Sequence, residues 1–341
     1  MRVVAAVDKF KGTATAAAVA QAIGHACWEL GHDCTEVPLA DGGEGTLEAL
    51  GGPNRTSTVT GPLGDPVQAD WRFHRGTAVI EMARASGLTL VGGPEHNDPV
   101  AASTTGTGEL IDKALDLGAE RIIVCLGGSA TTDGGLGAVR AIHAPARLRG
   151  VEFLVACDVE TLFLDAPRDF GPQKGATTRQ IRLLESRLER LVQLYQEMNG
   201  VDVSHIEGAG AAGGLAGGLL ALGATLIPGF DMVADEVGLH DHLRSADVVI
   251  TGEGQLDITS FEGKVVGGVV DLAHSAGLPV GVICGRVDPS AHDADSYRHI
   301  DAGVTSLVDE YGSDRAMAEP LWCLEQAALG LLRRISPPSS R

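Results

Sequence analysis

Apolar residues run unbroken from Val3 to Val7 and stop at Asp8; farther on, Val19, Ile23, Cys27 and Leu30 fall on one face of a helix that Gly31 ends. Residues 34–39 read as a second strand, and a strand, helix, strand unit of this kind builds parallel sheets. After the turn cluster Gly61-Pro62-Leu63-Gly64-Asp65-Pro66 the pattern changes. Val67, Ala69, Trp71 and Phe73 alternate with Gln68, Asp70 and Arg72, and a new apolar run covers 77–82. That period of two predicts an antiparallel hairpin with one wet face. A helix over 107–117, strands over 121–126 and 151–156, and a long helix with Ile181, Leu184, Leu188, Leu191, Tyr195 and Met198 on one stripe follow. Parallel-sheet patterns return with a strand over 247–251, a helix over 264–276, a strand over 279–284 and a last helix over 317–334.

The order predicts an α/β protein. A discontinuous doubly wound domain of Rossmann or flavodoxin type takes residues 1–60 and 230–335, and an α+β domain over 61–229 is inserted in it. The Pro- and Ser-rich residues 336–341 read as a frayed tail. The length of 341 residues agrees, because one hydrophobic core rarely serves more than roughly 250 to 300. With 44% apolar and 21% charged residues the chain is globular rather than disordered.

A net charge of -19 argues against nucleic acid or an anionic membrane as partner, since both are bound through clustered Lys and Arg. It leaves room for a small anion, because bulk charge is screened beyond about 8 Å in physiological salt. Six scattered cysteines without a C-x-x-C pair suit a reducing, cytoplasmic compartment. Residues 208–230 carry no charge, but eight glycines and Pro228 mark them as a Gly-rich loop feeding a buried helix, not a membrane span.

Only five cations are lysine: Lys9, Lys11, Lys113, Lys174 and Lys264. Four of them lie in Lys9-Phe10-Lys11-Gly12, Lys174-Gly175 and Gly263-Lys264, and a compact ammonium beside free backbone N–H groups suits a phosphate. Lys113 falls on an exposed helix face. Carboxylates recur at strand ends: Asp8, Asp158 and Glu253. Open α/β sheets place ligands there, a nucleotide's Mg²⁺ needs one or two such oxygens, and a hydroxyl nucleophile needs a base. Each of these acids could equally cap a helix.

Four Gly-rich segments precede helices and could cradle phosphate: Asp41-Gly42-Gly43-Glu44-Gly45-Thr46, Gly106-Thr107-Gly108, the run from Gly127 and Gly128 through Ser129 and Asp133 to Gly134 and Gly135, and Gly208 to Gly214. Gly208, Gly210 and Gly213 match G-x-G-x-x-G, yet a poor strand precedes them, so the dinucleotide fingerprint is weak. There is no Walker A sequence, H-E-x-x-H pair or G-x-S-x-G elbow.

Taken together, these segments resemble the bacterial glycerate kinase family of the glyoxylate and glucarate pathways. The matching stretches are Asp8-Lys9-Phe10-Lys11-Gly12, Leu39 to Thr46, Thr60 to Gly64, Gly106 to Ile111, Gly127 to Gly135, Ala156 to Val159, Phe170 to Ala176, Gly208 to Gly214, Thr251-Gly252-Glu253-Gly254, Asp257 and Gly263-Lys264. The resemblance implies a two-domain kinase that moves the γ-phosphoryl group of ATP, with Mg²⁺, onto a hydroxyl of D-glycerate, giving 2-phosphoglycerate in preference to 3-phosphoglycerate, with the active site in the interdomain cleft.

Within that resemblance, Asp8, Lys11 and Asp41 are the catalytic candidates. Lys9, Gly42, Gly43, Glu44, Thr46 and Thr107 are candidates for the hydroxy acid. Gly127, Gly128, Ser129, Asp133, Gly134, Lys174, Gly208, Gly210, Gly213 and Lys264 are candidates for the nucleotide, and Asp158, Glu253 and Asp257 for the metal. The partners expected are ATP and a small hydroxy acid, with no nucleic acid and no membrane, in a monomer or homodimer. The family more often has Ser at Lys9, Pro at Val7, Asn at Thr132 and Gln at Thr259, and a longer segment where residues 136–150 stand. A kinase of the same chemistry on another hydroxy acid is the alternative. An NAD(P)-dependent oxidoreductase and a non-catalytic metabolite-binding regulator rank below it.

Overall fold

The computed structural model describes residues 1–335; the tail expected over 336–341 lies outside them. Its strands are β1 (Arg2–Val7), β2 (Asp33–Pro38), β3 (Arg55–Thr60), β4 (Pro66–His74), β5 (Thr77–Glu81), β6 (Arg121–Cys125), β7 (Glu152–Ala156), β8 (Thr225–Ile227), β9 (Val248–Leu256), β10 (Val280–Val287) and β11 (Gly303–Ser306). The chain divides into two compact units, Met1–Asp41 with the residues from Gly229 on, and Gly42–Pro228.

The first unit carries an all-parallel sheet in the order β11-β10-β9-β1-β2. Counted within the unit, that is the doubly wound order 2-1-3-4-5, whose reversal lies between β1 and β9. Val3, Ala5 and Val7 pack under helices Ala16–Glu29 and Pro320–Ile335. Helix Val265–Ser275 packs on β9 and β10. Burial on both faces is why β1 reads as an apolar run rather than an alternation. The last helix, expected as one piece over 317–334, is interrupted: Ser313–Ala318 ends, and a new helix starts at Pro320. Proline suits a first helical position because its missing N–H has no partner there in any case.

The second unit has a six-stranded mixed sheet, β3-β4-β5-β6-β7-β8. The expected hairpin is present, Arg72 opposite Val79, and from β5 to β8 the strands run parallel. Strand β3 extends the antiparallel half, Arg55 opposite Trp71 through Thr60 opposite Pro66, so residues 42–60 fall in this unit instead of with 1–41. In its sequence Arg-Thr-Ser-Thr-Val-Thr only Val59 is buried, and such a strand has no apolar period to read. The core gathers Trp71, Ile80, Leu110, Ile122 and Leu215. Helix Thr178–Asn199 opens on a capping box, Thr177 with Gln180, and buries Leu184, Leu188, Leu191 and Tyr195. Met198, placed on the same stripe, is exposed because it lies in the last turn. Among the described residues no helix is long and apolar enough to cross a membrane.

Candidate active site

In the first unit, Asp8 follows the carboxyl end of β1, and beside it Glu253 lies within β9, at the point where the strand order reverses. The strand expected to stop at Thr251 runs on to Leu256 through its pairing with β10, so Glu253 is not a strand-end acid. The Asp8 N–H donates to the Gly252 carbonyl at 3.0 Å. Asp8 is mostly enclosed. Burial pushes its carboxyl up to about 6; the neighbouring Lys9 opposes this, and Asp41 adds to it. Lys9 donates its backbone N–H to Asp8 Oδ1 at 2.7 Å and holds its ammonium 3.6 Å from the same atom. Burial likewise pushes Glu253 up to about 7, with Ser260 and Lys264 opposing and Asp8 and Asp257 reinforcing. Glu253 Oε1 is buried with no hydrogen-bond partner. Neighbouring carboxyls raised together by burial are a mark of functional sites.

The residues after Asp8 form a tight turn. Phe10 is buried and exchanges both backbone hydrogen bonds with Ala14, and Gly12 takes the left-handed conformation between them. Lys11 is thereby displayed, exposed, at the tip. A Cβ on Gly254 would stand 3.2 Å from the Lys11 nitrogen, so β9 passes this turn without side-chain clearance. Asp257 is occupied: it accepts from Thr259 N at 2.9 Å, Thr259 Oγ1 at 2.7 Å and Gln255 Nε2 at 3.1 Å. Burial raises its carboxyl, and the Thr259 hydrogen bonds outweigh that and leave it low. Lys264 Nζ donates to Thr259 Oγ1 at 2.8 Å. Thr259 thus joins Asp257 to Lys264, and Asp257 serves as the cap of the 3-10 helix Ile258–Phe261.

In the second unit, two of the predicted glycine loops meet. A Cβ on Gly127 would lie 3.3 Å from Gly43 Cα, and one on Gly128 would lie 2.5 Å from Glu44 Oε1. Both loops follow or face the carboxyl ends of the parallel strands β5 and β6. Several residues expected to touch ligands are instead committed to holding these loops. Thr107 is fully buried with its hydroxyl 2.8 Å from Ser86 Oγ, while Thr46 is fully buried with its hydroxyl unpartnered. Ser129 Oγ accepts from Thr131 N at 3.0 Å and closes a local turn. Asp133 accepts from Thr104 N and Thr104 Oγ1, both at 2.9 Å, and from Gly135 N and Gly137 N, both at 3.1 Å. That set satisfies a carboxylate and holds the Gly135 and Gly137 amides at the start of helix Leu136–Ala141, whose cap is Gly135.

Lys174 is a correction to the reading of an ammonium beside a phosphate. It is 3% exposed, and its Nζ donates to the Thr131 carbonyl at 2.6 Å. Burial pushes it down to about 7. Asn97 Nδ2 adds donations to the carbonyls of Ala130 and Lys174. The Gly208–Gly214 segment backs the same loop: Gly210 N donates to the Thr161 carbonyl, Gly134 N donates to the Gly213 carbonyl, and a Cβ on Gly213 would stand 2.0 Å from Thr131 O. Only glycine permits that approach. Asp158 is exposed just beyond β7, in a different unit from Glu253 and Asp257. Among the described residues, no group of three or more His, Cys, Asp or Glu side chains is arranged to hold a metal.

One acid was missed. Glu81 ends β5 as Asp8 ends β1, so the strand-end rule that singled out Asp8, Asp158 and Glu253 would have found it too. It is 2% exposed and paired with Arg84 at 3.1 Å.

The chain also resembles known proteins. The family described as "Glycerate kinase family" matches residues 3–146 and 142–336, two stretches that meet inside the segment 136–150. The glycerate kinase of Halalkalibacterium halodurans is 38% identical, with 96% of each chain covered. The glycerate 2-kinase of Escherichia coli is 40% identical, covering 84% of this chain and 86% of that one. A crystal structure described as a glycerate kinase 2 of Salmonella typhimurium LT2 superposes with a TM-score of 0.81 at 36% identity, covering 98% of both chains.

Proposed function

The chain belongs to the glycerate kinase family, and from that premise we propose that it transfers the γ-phosphoryl group of ATP to the C2 hydroxyl of D-glycerate. The observation that carries the reading is the pair Asp8 and Glu253 at the β1/β9 reversal, both lifted toward neutrality by burial. Phosphoryl transfer asks little covalent chemistry of a protein: it needs a positioned hydroxyl, a group to take its proton and cations to spread the developing charge. Asp8, with a carboxyl near 6, is ionised at neutral pH yet basic enough to accept the hydroxyl proton. Lys9 holds that carboxylate in one orientation.

In the first unit Lys11, exposed at the tip of its turn, is the ammonium for a ligand carboxylate. In the second unit the Gly42–Glu44 backbone is assigned to the hydroxy acid, the Gly45 and Thr46 amides being held by Glu81 and the Gly43 carbonyl. The backbone of the Gly127–Gly135 loop is assigned to the polyphosphate, while Asp133, Lys174 and the Gly208–Gly214 segment keep that loop in shape. Mg²⁺ suits Glu253, whose buried Oε1 lacks a partner, and does not suit Asp257, whose oxygens are already taken. Bound there, the cation would neutralise charge on the transferring phosphoryl group.

A coupled assay of ADP release over a panel of small hydroxy acids tests the reading, with the product identified by phosphorus NMR. Turnover with D-glycerate giving 2-phosphoglycerate is expected. A tenfold preference for another acid would reassign the acceptor, and ADP release independent of any acid would remove the function. The alternative acceptor is favoured by one observation: the family match divides at 142–146, within the short segment 136–150.

A further inference from the structure

Glu81 sits at the carboxyl end of β5, and its side chain reaches the Asp41–Thr46 loop from beneath. One oxygen, Oε1, accepts from Gly45 N at 2.8 Å and from Leu47 N at 2.9 Å. The other, Oε2, accepts from Arg84 Nε at 3.1 Å, and Arg84 Nη2 donates in turn to Glu48 Oε1 at 2.6 Å. Both N–H groups held by Oε1 belong to the start of helix Thr46–Ala49, whose first turn would otherwise leave them without acceptors. The helix has only four residues and its cap, Gly45, is left-handed with φ 95°, so it supplies no side-chain cap of its own. A side-chain carboxyl 2% exposed is costly without partners, and three donors supply them.

We propose that Glu81 is a positioning residue for the acceptor: by fixing the Gly45 and Leu47 amides it holds the Gly42–Thr46 backbone in the form that receives the hydroxy acid, and Arg84, braced by Glu48, aims the carboxylate. This rests on the assignment of that loop to the acceptor. Glu48 and Arg84 lie on the exposed side of the arrangement, so the bracing is graded: loss of Arg84 loosens the carboxylate, and loss of Glu81 frees the loop. Preorganisation of this kind acts on substrate affinity and alignment more than on global stability.

The test compares the purified full chain with Glu81→Gln, Glu81→Ala and Arg84→Met. Steady-state kinetics are measured in both substrates, and hydrogen exchange is followed in peptides covering residues 42–50. Glu81→Ala is expected to raise KM for glycerate at least tenfold with KM for ATP changed less than twofold, and to speed exchange at Gly45 and Leu47 at least tenfold. Glu81→Gln, which keeps one acceptor oxygen, is expected to recover part of both. Arg84→Met should show the same split at smaller size. Folded variants with unchanged exchange, or with equal losses in both substrates, would overturn the proposal. Should Glu81→Ala not fold, Glu81→Gln and Arg84→Met decide by the same criteria. If the wild-type chain releases no ADP with glycerate, the acceptor assignment fails, and the exchange data still decide whether Glu81 holds the loop.

Discussion

The two units present their carboxyl-end loops in opposite states. In the first, Asp8 and Glu253 stand beside each other with carboxyls raised to about 6 and about 7, and one oxygen of Glu253 has no partner. In the second, the charged groups of the corresponding loops are spent on the protein itself: Asp133 on four N–H and O–H donors, Lys174 on a carbonyl, Glu81 on two amides and an arginine. The difference separates two ways of building a site. The first unit keeps titratable side chains at a free-energy cost and thereby has groups ready to react. The second satisfies its side chains and leaves shaped backbone as what it can offer a ligand.

Substitutions can break that comparison, and the largest effect belongs to the first unit. Asp8→Asn should lower kcat by about a thousandfold, within the range for loss of a general base. The same change should stabilise the protein. A carboxyl raised from 3.8 to about 6 binds its proton more tightly when folded, so folding stability falls as pH rises across that window. Removing the group removes the fall, and urea unfolding at pH 8 should show a gain of roughly 1–3 kcal/mol. A less stable, inactive variant would mean Asp8 is structural.

Next comes the paired lysine comparison. Lys11→Ala should cost about a hundredfold in kcat/KM for glycerate, ~3 kcal/mol of transition-state stabilisation, while Lys113→Ala, on the exposed face of helix Thr105–Asp116, should stay within twofold. Equal activities would end the argument from scarce lysines.

In the second unit the effects should appear in stability. Asp133→Ala strands the half-buried donors of Thr104, Gly135 and Gly137 and should cost about 1–3 kcal/mol in denaturant unfolding, with activity falling only as the loop loosens. Wild-type stability paired with a lost KM for ATP would instead make Asp133 a ligand-contacting residue. The smallest effect is a slope. Lys174 falls from 10.5 to about 7 on burial, so between those values the unfolded chain binds more protons, and stability rises with pH there and levels off below 7. Lys174→Met should flatten that rise; an unchanged profile would mean the ammonium is not buried in solution.

Much of this was legible in the chain. The apolar run before Asp8 announced a strand buried on both faces, and the three-and-four spacing of Leu184, Leu188, Leu191 and Tyr195 announced the long helix, because periodicity is what a core demands locally. Strand β3 escaped, since its polar residues owe their conformation to hydrogen bonds with β4 rather than to burial of their own. Lys174 was noticed for being rare and beside glycine, and its partner, the Thr131 carbonyl, lies 43 residues away, which no local pattern records. Glu81 carries the same strand-end signal as Asp8, but its partners, the Gly45 and Leu47 amides and Arg84, show only in the fold.

The sequence by itself determined which residue types were available and where the chain would turn, pack and end its strands. It placed acids near strand ends and lysines beside glycines. Only the tertiary structure decided which of these groups kept an unsatisfied valence, because that depends on donors and acceptors brought from distant parts of the chain. Glu253 was left with one oxygen that no donor reaches, and Asp8 with a carboxyl that burial raises despite Lys9, whereas Asp133, Lys174 and Glu81 found partners inside the fold.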